Sequence, residues 1–193
     1  IVGWQEDFNM SFLSAVPAQV KAAEYAGAVA RACPRRPLRI GGHSKGGNLA
    51  AWAAVHLDEK LQRQRLIAAY NNDGPGFSRD LVDTPSYQAV ADRLFTYIPA
   101  SSIVGVLLEH AEDYAVIDSS NRSIMQHEPM SWNVEGPRFV HLGQRSPMGK
   151  VSDDLLRQWI GSMTPQEREQ FTDALFDICL LYTSDAADEA RSV

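Results

Sequence analysis

Apolar positions along this chain of 193 residues fall into two rhythms. Short apolar runs of strand length alternate with longer alanine-rich or amphipathic stretches of helical period. Pro17 opens the first helical stretch, Ala18 to Ala32, and Pro34 and Pro37 close it. Leu38–Gly41 reads as a strand, and an alanine-rich helix runs from Asn48 to Leu57. Leu66–Tyr70 is a second strand, followed by the turn-rich loop Asn71–Phe77. A helix occupies part of Asp80–Ala91, complicated by Pro85. Leu94–Ile98 and Tyr114–Ile117 are further strands, with a short helix between Ser101 and Glu109 and a late hairpin over Arg138–Leu142. Val151–Ile160 and Pro165–Ile178 read as amphipathic helices, the second with a capping box built from Thr164 and Glu167. Strands alternating with helices predict an α/β fold, with a mainly parallel sheet and helices on both faces.

Between the first strand and the second helix lies Gly42-His43-Ser44-Lys45-Gly46, which fits G-x-S-x-G, the nucleophile elbow of α/β-hydrolases. A serine at the tip of so tight a turn is held in strained backbone geometry. Gly42 and Gly46 are expected to be glycine because side chains there would strike the neighbouring strand and helix. Starting a helix beside Ser44 also aims main-chain N–H groups, that of Lys45 first, at an oxyanion forming next to its Oγ.

Composition narrows the partners. A net charge of −6 argues against nucleic acid as the main partner. Two cysteines, Cys33 and Cys179, make neither a disulfide framework nor a metal-ligand spacing. No apolar run approaches a membrane span, and the expected compartment is the cytoplasm. Residues 1–178 are expected to form one domain. The chain opens on Ile1 and reads as truncated at its front end. Residues 179–193, beginning Cys179-Leu180-Leu181-Tyr182-Thr183-Ser184-Asp185, resemble a translated sequencing adaptor and are set apart as a non-native tail.

Serine is a weak nucleophile and needs a base within hydrogen-bond reach, itself oriented by a third group. Five histidines compete. His43 lies inside the elbow, with its side chain expected to point away from the Ser44 Oγ. His56 falls near the end of the following helix, and His141 in the late hairpin. His110 and His127 lie after the nucleophile, as the order serine, acid, histidine requires. For the acid, Asp73 follows the strand after the elbow in a Gly- and Pro-rich loop, with Asp118 and Asp113 in reserve; the alternative is that Asp73 only fixes its own turn. Trp4, Trp132 and Met130 are candidates to line an acyl pocket, or else core residues. Glu109 and Glu112 have no metal-ligand partner, and no metal or cofactor is expected.

Several segments together resemble the Mbeg-like family of bacterial proteins, which is placed with the α/β-hydrolases. They are Gly3–Met10, Gly41–Ala50, Asn72–Phe77, Leu107–His110 and Gln126–Trp132. A more distant resemblance runs to the class 3 lipases over the elbow and the segment from Ser101 to His110. That likeness favours His127 as the base. It also marks two departures: Ser102 stands where those lipases carry the triad aspartate, and the strand that would supply a second oxyanion donor is missing. The resemblance implies an esterase- or lipase-like serine hydrolase acting on a small ester or lipid-like substrate, with Ser44 as nucleophile and His127 as base; Asp73, chosen from its own loop, completes the expected triad. The alternatives are a catalytically inactive binding scaffold and an acyltransferase.

Overall fold

The computed structural model describes residues 15–110, 112–164 and 166–174. Trp4, the tail 179–193 and the far end of the last expected helix lie outside them.

Helix α1 (Pro17–Ala32) opens at Pro17, and Gln19 Oε1 accepts the Val16 N–H. Strand β1 (Leu38–His43) runs two residues further than its apolar pattern, through Gly42 and His43. Helix α2 (Lys45–Val55) follows at once, and its alanines lie close against β1 and β2. Small side chains allow that approach, and Ala50, Ala51, Ala53 and Ala54 are all buried. Helix α3 (Glu59–Arg65), not expected from the sequence, is capped by Asp58, which accepts the Lys60 N–H. Strand β2 (Leu66–Asn72) is followed by two single-turn helices, α4 (Arg79–Val82) and α5 (Pro85–Gln88). Pro85 accounts for the break, since it opens the second of them. Then come β3 (Leu94–Pro99) and β4 (Tyr114–Ile117).

The expected late hairpin is divided. Strands β5 (Val134–Glu135) and β6 (Arg138–Phe139) pair with each other, whereas β7 (His141–Leu142) turns back onto β4. Helix α6 (Pro147–Gly161) is followed by a helical run over 166–174, where Glu167 N–H donates to Thr164 Oγ1 and Glu167 Oε2 accepts the Thr164 N–H. Between Ser101 and Glu109 the expected helix is only a 3₁₀ turn, Val104–Val106.

The main sheet has the order β1-β2-β3-β4-β7, with β1 to β4 parallel and β7 antiparallel. One face carries the core: Trp52, Val55, Leu57, Ala69, Phe77, Tyr87, Val90 and Leu94 pack together beneath α1 and α2. The other face carries Tyr70, Phe95 and Tyr97, which with Phe139 line a cavity of about 750 Å³. No described helix residue lines that cavity. Parallel strands send all their following loops to one end of the sheet, where open α/β sheets place their ligands. Ser44, Asp73, Ser102 and His127 all lie on such loops.

Candidate active site

Ser44 sits between β1 and α2 with φ 57° and ψ −131°. Such a conformation costs a non-glycine residue on the order of 1–3 kcal/mol, and the surroundings must impose it. They do so by close packing. The Ser44 N–H donates to Asn72 O on the neighbouring strand, and Ser44 O accepts the Gly47 N–H. A Cβ on Gly42 would fall 2.1 Å from Gly46 O, and one on Gly74 would fall 2.2 Å from Ser44 O. Only hydrogen fits at either place. Gly46 differs from expectation: a Cβ there would meet nothing within 4 Å among the described residues. Among the described residues this glycine has no such steric reason.

Asp73 also has positive φ, 54°, a conformation that aspartate tolerates better than most residues. Its N–H donates to Tyr97 O. The loop behind it is fastened to α2. Asn48, fully buried, donates Nδ2–H to Pro75 O and Gly76 O and accepts from Gln19 Nε2. Asn71 Oδ1 accepts the Gly74 N–H. Nothing in the spacing of Asn48 or Asn71 announces these roles, because each depends on a partner distant in sequence or on the turn itself.

His127 ends a 3₁₀ turn, Ser123–His127, beyond β4. Its Nε2 lies 2.9 Å from Ser44 Oγ, and its Nδ1 lies 2.7 Å from Asp73 Oδ2. A carboxylate only accepts, so Nδ1 carries the hydrogen and Nε2 is left to accept from the serine hydroxyl. Three groups named from the sequence thus form one chain of hydrogen bonds. Lys45, the fourth, is the first residue of α2.

Ser102 is not idle. Its hydroxyl donates to Asp73 Oδ2 at 2.7 Å, so it supports a carboxylate from another loop. The other carboxylate oxygen, Asp73 Oδ1, is buried with no hydrogen-bond partner among the described residues. Burial raises the Asp73 carboxyl above its ordinary value, opposed by its bonds to His127 and Ser102 and by the charges of His127 and His43. A Cβ on Gly105 would come within 2.3 Å of Oδ1, so the loop after β3 presses on the acid.

The remaining candidates have other partners. His43 packs against the base: its ring stands 4.6 Å from that of His127, and its Nε2–H donates to His127 O at 2.8 Å. His56 stacks on Trp52 at 4.0 Å. His141 is exposed on β7. His110 is buried between Gly105 O and Glu112. Asp118 accepts from Asn133, and Asp113 is exposed. Trp132 is buried and donates its Nε1–H to Gln126 O, which makes it part of the loop's frame. Met130 is 90% exposed. Gln126, which sequence reasoning passed over, holds the same loop by accepting the Ser101 N–H and donating to Asn121 O.

Among the described residues no cluster of three or more His, Cys, Asp or Glu could hold a metal ion, and no helix is long and apolar enough to cross a membrane. No curated protein matches the chain. A family model described as Mbeg1-like matches residues 1–177, and the chain belongs to that family.

Proposed function

We propose that this member of the Mbeg1-like family is a serine hydrolase of esterase or lipase type, built on an α/β-hydrolase fold. The observation that carries the reading is the unbroken chain from Ser44 Oγ through His127 to Asp73, with contacts of 2.9 and 2.7 Å. The positive φ of Ser44 at a strand-to-helix turn supports it, since that strain belongs to a side chain held out for use.

Ser44 Oγ attacks the ester carbonyl while His127 Nε2 takes its proton. The carbonyl oxygen becomes an oxyanion, held by the main-chain N–H of Lys45 at the start of α2. The imidazolium then passes the proton to the departing alcohol, leaving an acyl-serine. Water, deprotonated by His127, releases the acid and returns the proton to Ser44. Asp73 keeps the imidazole in the required tautomer and balances its positive charge. The steps draw on these residues, the substrate and water alone. An acyltransferase would use the same residues with another acceptor in place of water. The binding-scaffold alternative rested on Ser102, and its bond to Asp73 gives that alternative no support.

The test is covalent. A fluorophosphonate probe should label the protein at Ser44, and Ser44→Ala should abolish labelling. Labelling that survives the substitution, or a wild-type protein that is not labelled, refutes the reading.

A further inference from the structure

We propose that His43 is a positioning residue that holds the main chain of His127 from within the nucleophile's own turn, and so fixes the reach from His127 to Ser44. The inference rests on the serine-hydrolase reading for its effect on rate and on geometry alone for its contact.

His127 closes a 3₁₀ turn, where carbonyl groups run out of partners within the turn. Two consecutive carbonyls there are satisfied by side chains. Gln126 O accepts from Trp132 Nε1 at 2.7 Å, and His127 O accepts from His43 Nε2 at 2.8 Å. The two bonds differ in what they join. Trp132 belongs to the same loop as His127, so its bond shapes that loop internally. His43 is the last residue of β1 and the covalent neighbour of Ser44. Its bond therefore ties the loop carrying the base to the turn carrying the nucleophile, across 84 positions of sequence.

The ring also fills space on that path. It stands 4.6 Å from the His127 ring and 5.7 Å from the Trp132 ring, tilted against the first and edge-on to the second. Without the Nε2–H donor the His127 carbonyl loses its tie, and its imidazole is set only by the bonds at its own tip. A displacement near 1 Å in such a chain costs on the order of 100-fold in rate.

Glutamine and methionine give the decisive pair, because they match in length and volume but only glutamine keeps an N–H donor at the far end. In the full chain, His43→Gln should label at Ser44 within about threefold of wild type, and His43→Met should label about 10- to 100-fold more slowly. Thermal melts of both variants separate this loss from general destabilisation. In a Ser44→Ala background, proton NMR should show the downfield His127 Nδ1–H bonded to Asp73 in the wild type and in His43→Gln, and should show it broadened or shifted in His43→Met. Equal labelling rates for the two variants, or an unchanged downfield proton in His43→Met, overturn the proposal. If wild-type Ser44 takes no probe at all, the hydrolase reading fails separately, and the NMR comparison still decides the role of His43. Should His43→Met not fold, His43→Asn, whose donor falls short of the carbonyl, takes its place in both measurements.

Discussion

Asp73 is fully buried, with one oxygen bonded twice and the other without a partner among the described residues. A charge in that position opposes folding, and burial accordingly lifts its carboxyl above the ordinary 3.8. A raised value in the folded state means that ionising this carboxyl costs more in the fold than in the unfolded chain. The associated stability is full below about pH 3.8 and is lost as pH climbs through the raised value. Asp73→Asn, which does not titrate, should therefore gain on the wild type in melting temperature as pH rises from 4 to 8. The same variant should label at Ser44 at least about 1,000-fold more slowly, because its amide no longer fixes the His127 tautomer. Parallel melting curves for the two proteins across that range would refute the account. The residue is legible in sequence from its loop and its place after the elbow, but Ser102 is legible only as a departure from a lipase pattern. A hydroxyl that supports an acid 29 positions away leaves no local trace.

The loop between β3 and β4 carries the matching device. His110 joins Gly105 O to Glu112, and Glu112 also accepts from Tyr87 and Thr96. The same loop is strapped to the Asp73 loop through Gly76 N to Leu107 O and the paired bonds of Phe77 and Glu109. Burial alone would raise Glu112. The bond and charge of His110, with Thr96 and Tyr87, outweigh it and bring the carboxyl from 4.5 down to about 2. That depression stabilises the fold above pH 4.5, by about 3 kcal/mol, and the contribution fades as pH falls from 4.5 toward 2. Glu112→Gln should lose stability above pH 4.5 and show a flatter denaturant midpoint between pH 5 and 2.5. An unchanged acid limb in this variant would exclude Glu112 as its source. Sequence reading finds the strands on either side of this loop from their apolar runs. It misses the loop's conformation, where the expected helix gives way to a 3₁₀ turn and long-range side-chain bonds.

At the scale of the molecule, the apolar rhythm is enough to give the alternation of helix and strand, and the parallel order follows from it. Helix α3 escaped notice because its seven residues, Glu-Lys-Leu-Gln-Arg-Gln-Arg, hold a single large apolar side chain and so show no period. The split of the late hairpin escaped because strands of two residues carry no pattern. The site is assembled from loops after β1, β2, β3 and β4, so it exists only when the whole sheet does. Labelling of Ser44 should therefore vanish at the same urea concentration at which the far-ultraviolet circular dichroism signal is lost. Labelling that disappears well before the sheet melts would show that the four loops detach from it independently.

His127 follows Ser44 by 83 residues. A nascent chain on the ribosome thus exposes its serine long before the imidazole that bonds it has been synthesised. On the proposed hydrolase reading, esters that meet the chain before His127 docks find an unactivated hydroxyl, and reactivity arrives only when the contributing loops close on Ser44.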